Sequence, residues 1–232
     1  MVKKQMRHFD IEMNDLQHRL VDMATLVQKM IKTATEKLVV KNTKRQSDFV
    51  LDFEKKVNIQ EIIIYDKCVK LIALNQPVGV DLRFITSAMR INNDLERMGD
   101  EAVNISKIAS CLIKYQKLDL QVINISKMIE IVQDMIMSCI KSFNTNNAEI
   151  ALSVLIKDTK VDNLRDEILN DIKNLIIEFP NADFIIKAID LIFITKSIER
   201  LGDHTKNISE GIIFMINGRR CSLFKKKLNK RI

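Results

Sequence analysis

The sequence predicts an all-α protein: two tandem three-helix bundles, six long helices in all, related by internal duplication and followed by a short basic C-terminal tail. Three observations carry that prediction. Five Gly and two Pro in 232 residues are too few for the turns of a sandwich, a barrel or a doubly wound sheet. The segment Glu96-Arg97-Met98-Gly99-Asp100-Glu101-Ala102-Val103-Asn104-Ile105-Ser106 recurs 103 residues later as Glu199-Arg200-Leu201-Gly202-Asp203-His204-Thr205-Lys206-Asn207-Ile208-Ser209, identical at seven of eleven positions. Pro77 and Pro180 are also 103 apart. Finally, apolar residues recur with helical spacing in both copies, and no segment alternates as a strand would.

The first helix is expected over roughly 8–41, with a break at 41–46. Val50, Val57, Ile64 and Leu71, seven apart, mark the second helix, which Pro77 stops. Phe84, Ala88, Ile91, Leu95, Met98, Ala102, Ile105 and Ala109 make the stripe of the third. A join near 115–121 leads to the second copy, whose first helix is expected over 122–144 with a break at 144–147. Val154, Val161, Ile168 and Leu175 then repeat the seven-residue spacing up to a break at 180–183. Leu191, Ile194, Ile198, Leu201, Thr205, Ile208 and Ile212 form the last stripe. On the middle helix the register slips by one, since Lys56-Val57-Asn58 matches Lys160-Val161-Asp162 at an offset of 104. Such stripes hold apolar side chains on one seam while helices cross at about 20°. The expected division is a first bundle over 1–116, a second over 117–216 and a tail over 217–232.

The formal net charge is +7, but the tail holds seven basic residues and no acid, so residues 1–216 carry no net charge. A nucleic-acid groove needs a basic excess on the folded body, so no nucleic-acid partner is expected. The tail is either a solvated terminus or a strip that touches anionic lipid, an acidic partner or RNA. Cys68, Cys111, Cys139 and Cys221 form no CxxC pair, which argues against a disulfide framework or a zinc knuckle and for a reducing, cytoplasmic setting. Residues 1–10 hold Lys3, Lys4 and Arg7 without the apolar run of a signal peptide, and no stretch approaches the ~20 apolar residues of a membrane span.

Glu96 and Asp100 are four apart on a helix, so their carboxylates point the same way; Glu199 and Asp203 repeat the pair. By helical phase both pairs should lie nearly opposite the apolar seam of their own helix. Gly99 and Gly202 sit between the acids, where a mid-helix glycine costs roughly 0.5–1 kcal/mol relative to Ala and leaves room for a close neighbour. Asp158 and Asp162 form a further pair on the preceding helix, matched in the first copy by Glu54 and Asn58. Two neighbouring helices with such pairs can build an all-oxygen site for a hard cation. The same pattern also suits a solvated face on which Arg97 and Arg200 relieve the repulsion. His204 either adds a nitrogen ligand or is simply an exposed histidine.

No nucleophile, base and oxyanion donor assemble, and there is no phosphate loop, GxGxxG or GxSxG motif, so no enzyme is expected. Ferritin-type di-iron chemistry needs Glu-x-x-His pairs, which are missing.

Gln76-Pro77 with Asp81-Leu82-Arg83-Phe84, then Leu95-Glu96-Arg97-Met98-Gly99-Asp100 and Asn104-Ile105, resembles the first signature of the PhoU family of phosphate-specific transport system regulatory proteins. Ser197-Ile198-Glu199-Arg200-Leu201-Gly202-Asp203-His204 with Asn207-Ile208 resembles the second, and His8-Phe9-Asp10, Glu12 and Leu16 resemble the opening helix. The similarity runs from about residue 8 to Gly218. It implies two three-helix bundles, a homodimer and a cytoplasmic, non-enzymatic negative regulator of phosphate uptake and phosphate-starvation signalling. The implied partners are the ATPase subunit of the phosphate ABC transporter and a sensor histidine kinase, with membrane association only through them. The resemblance also implies iron or zinc at Glu96, Asp100, Glu199, Asp203, Asp158 and Asp162; with Glu54 added from the matched position, the expected ions at these carboxylates are Fe, Zn, Mn or Mg. Asn58 departs from the family pattern and removes one charge from the first set, which makes the second copy the better expected metal site. The alternatives are a metal-storing or metal-dependent enzymatic bundle, and a tail-mediated binder of nucleic acid or membrane.

Overall fold

A computed structural model describes residues 2–39, 44–112 and 124–219, and these form six α-helices with no strand among the described residues. They are α1 (Val2–Val39), α2 (Lys44–Asn75), α3 (Gly79–Leu112), α4 (Ile125–Thr145), α5 (Ala148–Glu178) and α6 (Ala182–Asn217). The join expected at 115–121, the 116/117 boundary and the tail beyond 219 lie outside the described residues.

Each described break has a local cause. After α2, Gln76 takes a left-handed φ of 46° and its N–H returns to the carbonyl of Ile72 at 3.1 Å. Pro77 has no N–H with which to continue the ladder. Between α4 and α5, Asn146 is left-handed and the Asn147 side chain accepts hydrogen bonds from the N–H groups of Glu149 (2.9 Å) and Ile150 (3.3 Å). Asn181 caps α6 in the same manner, accepting from Phe184 at 2.9 Å. At the far end of α6 the left-handed residue is Gly218, whose φ of 66° suits glycine best. The Arg83 guanidinium of α3 lies against it, 3.3 Å from where a Cβ would stand.

The two copies superpose in kind as the repeat implies. A Cβ on Gly99 would meet Val57 Cγ1 of α2 at 3.5 Å, and one on Gly202 would meet Val161 Cγ1 of α5 at 3.4 Å. The offsets of 103 and 104 read from the sequence are therefore the same spatial register: α3 presses on α2 where α6 presses on α5.

α3 packs on α1, α2 and α6, while α6 packs on α4, α5 and α3, and α1 also touches α4. The α3–α6 contact is the most extensive in the molecule. Leu20, Met98, Ile105, Val132, Leu201 and Ile212, drawn from both copies, belong to one continuous buried core. Among the described residues no helix is long and apolar enough to cross a membrane.

Candidate functional site

Helical phase placed the acid pairs in part: Asp203 is exposed and Asp100 keeps 42% of its side chain exposed, whereas the first acid of each pair is largely covered. α3 and α6 each have three helical neighbours, so the face opposite one apolar contact is partly covered by another helix. Glu96 and Glu199 keep only 26% and 21% of their side chains exposed, and Asp158 is buried. The carboxylates line the grooves between α3 and α2 and between α6 and α5.

In the second copy, α5 presents Asp158, Asp162 and Arg165 to Glu199, Asp203 and Lys206 of α6. Arg165 Nη1 reaches Glu199 Oε1 at 2.5 Å and Asp162 Oδ1 at 3.4 Å, and its Nε donates to Asp166 at 3.0 Å. Lys206 Nζ lies 2.5 Å from Asp158 Oδ2, a bond that lifts the ammonium above its ordinary pKa and keeps it charged. Burial, then the neighbouring charges of Glu199 and Asp158, raise the Asp203 carboxyl above the usual aspartate value.

In the first copy α2 presents Glu61 to the α3 groove that holds Glu96, while Glu54 and Asn58 stand, by the repeat register, at the places of Asp158 and Asp162. Burial and then the Asp100 charge raise the Glu96 carboxyl. Arg97, itself well exposed, sits 3.5 Å from Glu96 and 3.8 Å from Asp100, too far for a strong pair. One turn earlier on α3, buried Asn92 donates to the Glu61 carbonyl at 2.9 Å and, less closely, to its carboxylate at 3.4 Å. In the repeat register Glu61 stands where the second copy has Arg165, and Val103 stands where it has Lys206.

The donor set can thus be tested against an ion. Hard oxygen ligands are present in both grooves, yet among the described residues no three His, Cys, Asp or Glu side chains converge as a group able to hold a metal. In the second groove Glu199 and Asp162 are already engaged by Arg165, and Asp158 by Lys206, which leaves Asp203 as the one acid of the two pairs without an ion pair among the described residues. In the first groove, among the described residues, the cation near Glu96 and Asp100 is the loosely placed Arg97 of α3 itself, and no cation of α2 is paired with them.

Sequence reasoning missed a third set of polar residues, at the α3–α6 junction. His204 Nδ1 lies 2.9 Å from Asp94 Oδ1, Asn207 donates to the same oxygen at 3.3 Å, and Arg200 Nη1 donates to Glu101 Oε1 at 3.1 Å. His204 therefore joins neither of the roles expected of it, and Arg200 serves the other copy rather than its own acids. A signal was available: Glu101 matches His204 in the repeat and Asp94 matches Ser197, so charge differs between the copies where they meet. Cys68 and Cys139 are buried, and burial pushes both thiols up to about 12.

Comparison with known proteins agrees with this architecture. The family model described as PhoU domain matches twice, over residues 20–109 and 125–212. The chain is 30% identical over 212 residues to the phosphate-specific transport system accessory protein PhoU homolog of Pseudomonas aeruginosa, covering 91% of this chain and 86% of that one. It is 34% identical over 207 residues to the homolog of Aquifex aeolicus, covering 89% and 92%. The crystal structure of PhoU from Pseudomonas aeruginosa superposes with a TM-score of 0.86 at 29% identity, covering 91% of this chain and 100% of that one. The phosphate transport system regulatory protein PhoU from Streptococcus pneumoniae gives 0.83 at 25% identity, covering 91% and 98%.

Proposed function

The chain belongs to the PhoU family, and on that footing we propose that it regulates phosphate uptake and phosphate-starvation signalling as an adaptor with no catalytic activity of its own. In this reading it acts in the cytoplasm, between the ATPase subunit of a phosphate ABC transporter and a sensor histidine kinase, and holds both in check when phosphate is plentiful. The observation that carries the reading is the match of both repeats to the family model, over nearly the whole helical body. Outward-facing Ile59, Ile62 and Val69 on α2, and Ile186, Ile189 and Phe193 on α6, support it by offering protein neighbours apolar surface to cover. Self-association as a homodimer belongs to the same proposal.

Deleting the gene and following a phosphate-starvation reporter in phosphate-rich medium tests the reading. Reporter activity should rise; repression that persists unchanged overturns it. A pull-down from phosphate-replete cells should recover the transporter ATPase and the kinase.

A carboxylate-bound Fe, Zn, Mn or Mg ion remains part of the proposal for the first repeat, where Glu96, Asp100 and Glu54 would supply the oxygens. Such an ion would offset the mutual repulsion of the acids and fix α3 against α2. Elemental analysis of protein purified without chelator checks this: no metal bound, and none taken up on titration, removes it.

A further inference from the structure

We propose that in the second repeat Arg165 and Lys206 stand in for a bound cation, so that this repeat holds three of the four carboxylates of its acid pairs with its own side chains and takes up no metal ion. The register is fixed by geometry: Val57 meets Gly99 as Val161 meets Gly202, so Glu61 and Val103 are the true spatial counterparts of Arg165 and Lys206. The first repeat therefore faces its groove with an acid and an apolar residue where the second offers two positive charges, the charge of one divalent ion. Those charges are placed to meet both acid pairs. Arg165 bridges Glu199 of α6 and Asp162 of α5, and Lys206 holds Asp158, which is 5% exposed. An incoming ion would have to break charge-assisted bonds at 2.5 Å and set its charge beside the displaced Lys206 and Arg165, the latter still held by Asp166. This assignment reverses the sequence-based expectation that the second copy is the better metal site. It does not depend on the adaptor reading, because its test counts ions rather than following a reporter.

The test uses the full-length chain and Mn²⁺ alone, counted by calorimetric titration and by electron paramagnetic resonance. Glu199→Gln with Asp203→Asn should leave the number of bound ions the same as in the unaltered protein. Arg165→Gln with Lys206→Gln should gain one Mn²⁺ per chain over the unaltered protein. Adding Asp203→Asn should abolish the gain. Loss of an ion on Glu199→Gln/Asp203→Asn, or no gain on Arg165→Gln/Lys206→Gln, overturns the proposal. Should the Arg165→Gln/Lys206→Gln protein not fold in chelator, refolding on addition of Mn²⁺, read by circular dichroism, supports it. If Mn²⁺ restores nothing, Lys206→Gln alone decides: a gained ion supports the proposal, and none overturns it.

Discussion

His204 of α6 and Asp94 of α3 are bonded side chain to side chain at 2.9 Å, across the contact that unites the two repeats. Asn207 shares the same carboxylate oxygen at 3.3 Å. Asp94→Ala and His204→Ala should therefore not be independent. A double-mutant cycle on urea unfolding is expected to return a coupling of about 1 kcal/mol. Additive effects would remove this bond from the account of how the repeats are held.

Arg200 and Arg97 occupy the same place in the repeat but differ in the carboxylate they serve. Glu101 is 8% exposed, so Arg200→Met leaves a charge with little water to turn to, and about 1–3 kcal/mol of stability should be lost. Arg97 touches its acids only loosely, and Arg97→Met should stay within about 0.5 kcal/mol. Equal losses from the two substitutions would contradict the contrast.

At Gly202 a methyl group would stand at ordinary van der Waals distance from Val161, 3.4 Å. Gly202→Ala should then be neutral or stabilising by up to about 1 kcal/mol, because helix propensity improves without a clash. Gly202→Leu must force α6 away from α5 and should cost about 1–3 kcal/mol. Thermal melts of the two variants distinguish close packing from a strict need for glycine.

Asp203 carries a carboxyl raised above its ordinary value of 3.8 by burial and by neighbouring acids. The native state thus holds that proton more tightly than the unfolded chain does. Its contribution to stability is complete below 3.8 and is lost as the pH rises through the raised native value. Asp203→Asn should gain stability relative to the parent as the pH climbs from 3.5 to about 7. Urea midpoints at several pH values check this, and a difference that is flat or shrinks with pH would contradict it.

The thiols provide a simple probe of burial. Cys111 is exposed, whereas Cys68 and Cys139 are buried with thiols at about 12. Under native conditions a disulfide reagent should modify Cys111 in minutes and leave Cys68 and Cys139 untouched until the protein is unfolded, as read by peptide mass. Rapid labelling of Cys139 would mean that the inter-repeat core opens readily.

The helices and the duplication were legible because both are written in single-chain periodicity. Val57 and Val161, or Gly99 and Gly202, need no partner to be recognised as matched positions. The orientation of the acids was legible only in part. Helical phase gave the direction of Glu199 relative to its own stripe, but α6 has α5 on one side and α3 on another, so the side away from one neighbour is partly covered by the next. For the same reason Arg200 was read as a partner for nearby acids when its carboxylate is 99 positions away. Arg165 was overlooked because it differs from Glu61, and a repeat draws attention to what is kept rather than to what has been exchanged.

Because α3 and α6 each rest on the other repeat as well as on their own, neither half of the chain closes its apolar stripe unaided. Two polypeptides made by severing the connection between Leu112 and Asn124 should each be sticky and incompletely formed when produced separately. Mixed, they should recognise one another and reconstitute a working whole without a covalent link.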